Sequence, residues 1–414
     1  MVTYHPRIVD AQLSRGLRAA GAVVVEGPKA CGKTTTAHRQ AGSTVHLDAS
    51  PQLRALAAAD PRVLLDGETP RLIDEWQLVP EIWNAVRYEV DQRQADGQFI
   101  LTGSATPADD ITRHTGAGRV ARVRMAPMTS YEAGHGTGAV SLAGLFAGDR
   151  PASLGADADL ADIAELVCRG GWPANLRRDL ADAINANRDY LTTVAAADIV
   201  TVDGVRRDPR KVSALLYALA RSNGTYVTDR TLQADVNGRG ETLSPKTLGS
   251  YLDALCRLWI AVEQPAWGQH MRSSAQVRKS PKRHLVDPSL AVAALGAGPR
   301  ALLADLEAFG QHFESLVFRD LSVYAQAAGA GVHAYQDAGG AEIDAVVTRD
   351  DQWIGIEVKL GARPEVVDVA AAGLIRIARS MRTPPAALAV VTATGPSYRR
   401  DDGVDVISIL DLGP

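Results

Sequence analysis

The segment Gly27–Thr34, GPKACGKT, matches the pattern G-x-x-x-x-G-K-[ST] of a phosphate-binding loop. Four apolar residues, 22–25, precede it as a predicted buried strand, and a predicted helix begins directly after it. Such a strand–loop–helix unit is typical of an α/β domain that turns backbone N–H groups towards a phosphate chain. We expect Lys33 to reach the β- and γ-phosphates of ATP and the Thr34 hydroxyl to ligate Mg²⁺. The expected nucleotide-binding residues are Gly27, Pro28, Lys29, Ala30, Cys31, Gly32, Lys33, Thr34 and Thr35.

Polar side chains follow two further predicted strands. The segment RLIDEWQ ends a strand in Asp74 and Glu75, and FILTGSA ends another in Thr102 and Ser104. Because the carboxyl ends of parallel strands meet at one edge of a sheet, these residues are expected beside the phosphate-binding loop. Asp74 is predicted to hold Mg²⁺, Glu75 to polarise the attacking water, and Ser104 to contact the γ-phosphate or position that water. The alternative in each case is ordinary turn chemistry after a strand.

Four segments in order, EGPKACGKTTTA, LIDEWQLVPEIW, FILTGSA and HTGAGRVARVRMAPMTSYE, resemble the bacterial ATPases with an AAA-type (AAA_14-like) N-terminal domain and a DUF4143 C-terminal region. The resemblance covers most of the chain and implies ATP hydrolysis. It also implies that Arg119, Arg122 and Arg124 meet nucleotide, in cis or from a neighbouring subunit of a homo-oligomer. The alternative is that these three arginines form a basic strand edge.

Length and composition limit the class of protein. A chain of 414 residues is expected to form two or three domains. Its three cysteines, Cys31, Cys168 and Cys256, are widely spaced and odd in number, which excludes a disulfide framework and a zinc site. No stretch approaches 18 apolar residues and the N-terminus lacks an apolar signal region, so the sequence predicts a cytoplasmic protein without membrane contact.

Short strands alternate with helices in the first third, which predicts a P-loop NTPase (AAA-like) domain with a parallel sheet over residues 1–133. The predicted strands are Ala22–Glu26, Thr44–Leu47, Arg71–Ile73, Phe99–Leu101 and Val120–Met125. Residues 134–160 are glycine-rich and are predicted to form a linker. Residues 161–283 are predicted to form a helical or winged-helix-like domain. By the resemblance, the DUF4143 region spans about 190–360.

The middle of the chain is basic. Residues 205–283 carry 14 basic and 6 acidic residues, a net charge of +8 that favours contact with DNA. Helix, turn, helix and strand are predicted in that order, with Lys246–Leu258 as the recognition helix. The alternative is a helical lid with solvated basic residues. The candidate nucleic-acid contacts are Lys246, Arg278, Lys279, Lys282 and Arg283.

The last third carries Glu314 on a predicted helix, Asp344 on a strand, and Glu357 and Lys359 on the next strand. This spacing resembles the PD-(D/E)xK nuclease fold, so residues 284–414 are predicted to form an α/β restriction-endonuclease-like domain. Asp344 and Glu357 would hold Mg²⁺, with Lys359 orienting water and Glu314 assisting. The alternative is a buried ion-pair cluster in an inactive relative. The net charge of −7 over residues 301–414 opposes the binding of a polyanion there.

Together these features predict a Mg²⁺-dependent ATPase that couples ATP binding and hydrolysis to DNA binding or processing. Its C-terminal domain would either cut nucleic acid or bind it without cutting. The alternative is a nucleotide-dependent molecular switch that recognises a protein partner. The basic segment 205–283 separates the two, because a switch has no need of it.

Overall fold

The computed structural model describes residues 4–105, 116–268, 280–337 and 339–414. Two compact units make up the chain, and each combines segments that are distant in sequence. The first unit consists of Met1–Pro127, Ala197–Arg206 and Asp253–Ile260. The second unit consists of Met128–Ala196, Arg207–Leu252 and Ala261–Pro414. Among the described residues, every helix is too short or too polar to cross a membrane.

The first unit is built on a parallel sheet of five strands in the order β2-β3-β4-β1-β5. Its strands are β1 (Ala22–Glu26), β2 (Ser43–His46), β3 (Arg71–Asp74), β4 (Phe99–Gly103) and β5 (Val120–Arg124). Its helices are α1 (Val9–Leu17), α2 (Lys33–His38), α3 (Pro51–Ala59) and α4 (Ile82–Arg93). The predicted α/β class and parallel sheet of the N-terminal region are thus observed.

Strand β1 lies between β4 and β5, and all five of its residues are buried. That position explains why its sequence AVVVE is almost continuously apolar, as expected for an inner strand of a parallel sheet. The registers pair Glu26 with Gly103 and Asp74 with Thr102. The sheet therefore brings the start of the phosphate-binding loop, Asp74 and Thr102 to one carboxyl edge.

The second unit contains a mixed sheet of seven strands in the order β10-β11-β12-β13-β15-β14-β7. Its helices are α5 (Leu142–Ala147), α6 (Leu160–Arg169), α7 (Leu180–Ala196), α8 (Pro209–Arg221), α9 (Asp229–Gly238), α10 (Pro245–Arg257), α11 (Pro288–Ala294), α12 (Pro299–Ala304), α13 (Leu306–Ala327) and α14 (Pro364–Arg379). The last turn of α10 is assigned to the first unit. Its strands are β6 (Val140–Ser141), β7 (Ala152–Ser153), β8 (Ala261–Gln264), β9 (Lys282–Leu285), β10 (Gly331–Gln336), β11 (Glu342–Arg349), β12 (Gln352–Lys359), β13 (Ala387–Thr392), β14 (Ser397–Arg399), β15 (Asp405–Ser408) and β16 (Leu412–Gly413).

The prediction of a linker over residues 134–160 was wrong. Strand β6 pairs in parallel with β16, and β7 pairs with β14 at one end of the seven-stranded sheet. Glycine-rich composition indicated a loop, but these pairings join residues more than 240 positions apart and leave no local signal. The helical region 161–283 likewise forms no unit of its own, because it is divided between the two units.

Residues 209–285 follow a regular order of elements. Helix α8 is followed by a bridge between Thr225 and Arg283, then by α9 and α10, and then by the antiparallel pair β8–β9. Thr228 caps α9 by accepting from the N–H of Thr231, which explains where that helix begins. The long connection between β8 and β9 includes residues outside the described part of the chain.

Candidate functional site

The loop between β1 and α2 has the backbone that its glycines require. Gly27 has φ +157°, and a Cβ there would lie 2.0 Å from the carbonyl oxygen of Met125. Gly32 has φ +104° at the start of α2. Arg7 is buried and donates to the carbonyl of Cys31 at 2.8 Å and to that of Ala126 at 2.8 Å. The loop is therefore fixed by close packing and by an arginine that no motif reveals.

Lys33 lies within this loop rather than in solvent. Its Nζ donates to the carbonyl oxygen of Pro28 at 2.8 Å, and the residue is buried. The motif assigns this ammonium to phosphate oxygens, whereas here its acceptor is a carbonyl of the loop itself.

Asp74 is the centre of the polar contacts at the sheet edge. Its Oδ1 accepts from the Thr34 hydroxyl at 2.8 Å and from the Thr102 hydroxyl. Its Oδ2 lies 3.0 Å from His46 Nδ1. The structure thus brings together Thr34 and Asp74, the two residues expected to hold Mg²⁺.

His46 and Asp48 were missed by the sequence reasoning. The possible ligand atoms of His46, Asp48 and Asp74 all lie within 4.8 Å of one another. The signal was present, because VHLDA places a histidine and an aspartate at the end of a strand, as LIDE does for Asp74. Without the strand order, nothing in the sequence shows that β2 lies next to β3.

Glu75 has both carboxylate oxygens hydrogen-bonded. Ser104 donates to Oε1 at 2.7 Å, and the side-chain amide of Gln77 donates to Oε2. Glu75 itself has φ +57°, in the left-handed region that non-glycine residues seldom adopt. Backbone of this kind costs free energy and persists only where the surrounding structure holds it. Ser104 lies beside Glu75, so the two predicted residues are together.

The three arginines are placed differently from one another. Arg119 precedes β5 at the amino end of the sheet, opposite the phosphate-binding loop, and donates to Asp91 at 2.6 Å. Arg122 donates to Glu26 at 2.7 Å. Arg124 stacks on the ring of Trp259 at 4.4 Å, and burial lowers its pKa. These contacts lie within the first unit.

One contact reaches the loop from far along the chain. The ammonium of Lys29, in a variable position of the motif, lies 2.5 Å from the carboxylate of Asp198. Asp198 is buried and begins the short helix Asp198–Val202, which belongs to the first unit. The sequence could not predict this pair, since 169 positions separate the partners.

The four residues predicted to form a nuclease-like site lie in the second unit. Asp344 Oδ2 accepts from the N–H of Val358 at 2.8 Å, and Lys359 donates to Glu357 at 2.7 Å. Burial and the charge of Asp344 raise the pKa of Glu357 to about 7. The same causes raise the pKa of Glu314 to about 8, against the effect of Lys282. The four predicted residues therefore share one electrostatic environment.

Lys282 belongs to this cluster, and its prediction as a nucleic-acid contact was wrong. Its side chain is 2% exposed and its Nζ lies 2.7 Å from Glu314 Oε1. Arg283 pairs with Asp229 at 2.7 Å and with Glu263 at 3.4 Å. Both cations are thus engaged by acids within the second unit.

Of the other three predicted nucleic-acid contacts, one lies among the described residues. Lys246 is exposed at the start of α10. Arg278 and Lys279 lie outside the described residues. Among the described residues, Lys246 is therefore the predicted contact that is exposed and forms no ion pair.

Comparison with known protein families divides the chain into three. Residues 19–134 match the family described as AAA domain (AAA_14). Residues 160–301 match a domain of unknown function, DUF8612, and residues 309–412 match DUF4143, also of unknown function. The DUF4143 match begins and ends later than the span of about 190–360 expected from the sequence.

Two curated relatives are the uncharacterized proteins Rv2008c of Mycobacterium tuberculosis and Mb2031c of Mycobacterium bovis. Each is 26% identical over 365 residues, which cover 87% of this chain and 75% of the relative. Among solved structures, the Walker-type ATPase PABY2304 of Pyrococcus abyssi aligns with a TM-score of 0.43 at 15% identity. That alignment covers 69% of this chain and 94% of the other.

Proposed function

We propose that this protein is a Mg²⁺-dependent ATPase. The observation that carries the proposal is the hydrogen bond between Thr34 and Asp74, which joins the phosphate-binding loop to the end of the neighbouring strand β3. The AAA domain match over residues 19–134 supports it. The donor set fits the ion, because Mg²⁺ prefers oxygen ligands and keeps several waters beside one or two protein groups.

Each residue of the site would have a separate task. Thr34 and Asp74 would hold Mg²⁺, which neutralises charge on the β- and γ-phosphates when it is bound. Lys33 would turn from the carbonyl of Pro28 to the phosphates. Glu75, held in place by Ser104 and Gln77, would orient the attacking water and accept its proton.

ATP turnover of two variants tests this assignment. Lys33→Ala should lose nucleotide binding, because it removes the ammonium that faces the phosphates. Glu75→Gln should bind ATP but hydrolyse it more slowly by a factor of about 10²–10⁴, the usual contribution of a positioned base. Glu81→Gln, an exposed acid ahead of α4, is the matched control and should leave the rate unchanged. Full turnover in both test variants would contradict the proposal.

DNA binding by residues 205–283 is a second proposal. It is supported by the order of helix, bridge, two helices and paired strands, which is the order of a winged helix-turn-helix. In that arrangement α10 is the recognition helix, with Lys246 exposed in its first turn. The loss of Lys282 and Arg283 to internal ion pairs makes this interface weaker than the charge count indicated.

Fluorescence anisotropy with duplex DNA at several salt concentrations tests the second proposal. Affinity should fall steeply as salt rises, because bound phosphates release counterions. Lys246→Glu should weaken binding to all sequences and reduce the salt slope by about 1. Arg376→Glu, on the exposed side of α14, is the control. Absence of binding at low salt would favour the nucleotide-dependent switch that recognises a protein partner.

A nuclease-like fold for the C-terminal region is the third part of the proposal. It is supported by the antiparallel pair β11–β12, which continues in parallel strands β13 and β15. Beside burial, the charge of Asp344 raises the pKa of both Glu314 and Glu357, so Asp344 lies close to each of them. Cleavage of nucleic acid at such a site requires a bound metal ion.

A further inference from the structure

Lys282 is surrounded by acids. Its Nζ donates to Glu314 Oε1 at 2.7 Å, contacts Glu342 Oε1, and lies 3.6 Å from Asp344 Oδ1. The ring of Tyr226 lies 5.4 Å from the same ammonium. With 2% of its side chain exposed, Lys282 has little contact with water.

The acids come from two elements that frame one position. Glu314 lies on α13, while Glu342 and Asp344 are two residues apart on β11 and so point to the same face of the sheet. The next strand, β12, adds the pair Glu357–Lys359. Converging carboxylates of this kind are the usual ligands of Mg²⁺ and Ca²⁺.

We infer that the ammonium of Lys282 is the resident cation of this cluster and takes the place of a divalent metal ion. It already satisfies one oxygen of Glu314 and one of Glu342. A divalent ion beside it would be repelled by its positive charge, in surroundings where water screens poorly. The cluster therefore binds no metal and supports no metal-dependent cleavage of phosphodiesters.

Two observations indicate that this cation stays in place and stays charged. Lys282 is the first residue of β9 and pairs with Gln264, so its backbone is fixed beside the acids. Burial lowers the pKa of Lys282, but the charges of Glu314, Asp344 and Glu342 outweigh burial and hold that pKa well above its usual value.

The spacing of the acids agrees with this inference. Within the described residues, the three potential ligand atoms of His46, Asp48 and Asp74 approach within 4.8 Å of one another, whereas no such trio is found around Lys282. Acids arranged around an ammonium are held apart by it. If the ammonium were removed, the long side chains of Glu314 and Glu342 could close on a metal ion.

Counting bound Mn²⁺ in the full-length protein tests the inference. The probe is Mn²⁺ alone, and free Mn²⁺ is measured by electron paramagnetic resonance. Lys282→Ala should bind one more ion per chain than the wild type, because it vacates the cation position. Lys282→Arg keeps a cation there and should match the wild type. Asp344→Asn added to Lys282→Ala should remove the extra ion.

Two results would overturn the inference. One is a folded Lys282→Ala variant that gains no ion. The other is a wild-type protein that loses an ion when only Asp344→Asn is introduced, since its own cluster would then have held metal. The second comparison leaves Lys282 intact, so it decides the question even if Lys282→Ala does not fold. An unchanged ion count in Asp344→Asn supports the inference.

A digestion assay gives a second readout. Wild-type protein incubated with Mn²⁺ and single- or double-stranded DNA should leave the DNA intact. Cleavage that disappears in Asp344→Asn would show a working metal site and would overturn the inference. The outcome is independent of the proposed ATPase, because the cluster and the phosphate-binding loop belong to different units.

Discussion

Replacing Lys282 with methionine removes a buried charge while keeping most of the side-chain volume. Glu314, Glu342 and Asp344 would then lie together without the cation that now contacts them. Removing one partner of a buried ion pair costs about 3–5 kcal/mol, because the remaining charge stays buried. We expect Lys282→Met to destabilise the second unit by this amount at pH 8.

The expected shift in melting temperature follows from the size of the unit. The second unit contains about 270 residues, and a unit of that size has an unfolding entropy of about 0.6 kcal/mol/K. A loss of about 3–5 kcal/mol therefore lowers the midpoint by about 5–9 °C if the unit unfolds cooperatively. Circular dichroism scans of wild type and variant at pH 8 measure this difference.

The cost should depend on pH. Glu314 already has a pKa raised to about 8 by burial and by Asp344, even though Lys282 opposes that shift. Without Lys282 the acids can bind a proton in place of the lost cation. The free energy of binding one such proton becomes more favourable by about 1.4 kcal/mol for each unit by which the pH falls. The difference between variant and wild type should therefore be smaller at pH 5.5 than at pH 8.

Arg283→Met is the matched control, since Arg283 is the next residue on the same strand. Its partners Asp229 and Glu263 have side chains that are 60% and 49% exposed. Exposed pairs contribute about 0–1 kcal/mol, so this variant should shift the midpoint by at most about 2 °C. Equal shifts in the two variants, or a Lys282→Met shift that is the same at both pH values, would refute the expected role of Lys282 as the buried counter-charge.

Two further predictions concern pH and assembly. The pKa of Glu314 is raised, so the folded state keeps a proton that the unfolded state releases above pH 4.5, and this group lowers stability as pH rises from about 5 to 8. Glu314→Gln should therefore make the melting temperature fall less steeply over that pH range. An unchanged slope would contradict this prediction. If Arg119 acts on a partner's nucleotide, ATPase rate per chain should rise with protein concentration in the wild type and not in Arg119→Ala. A rate that is independent of concentration would exclude the role in trans.

The strands around the phosphate-binding loop were predicted from the sequence most accurately. Strand β1 was predicted over Ala22–Glu26 and is observed there, and the predicted strand at Arg71–Ile73 is observed one residue longer. These elements carry local signals, namely a glycine motif, apolar runs and polar residues where the runs end. Arg7 and Asp198 have no such signal, although both contact the loop.

Pairings between distant segments account for most of what the sequence did not reveal. Residues 134–160 have the composition of a loop, yet β6 and β7 pair with strands near the end of the chain. Lys282 reads as part of a basic run, SPKRH, and only its position between α13 and β11 shows that it is buried. Local patterns report the chemistry of a segment but not which segments meet.

Contacts between distant segments also change what the net charges of the middle and last thirds of the chain imply. The excess of +8 in residues 205–283 and the excess of −7 in residues 301–414 do not belong to two independent surfaces. Lys282 belongs to the first segment and neutralises acids of the second, so part of each excess is internal. An ion pair between segments lowers both the attraction of the middle region for phosphate and the repulsion from the last third. The proposed DNA binding is therefore expected to depend on exposed cations such as Lys246, and the salt dependence of Lys246→Glu tests that contribution directly.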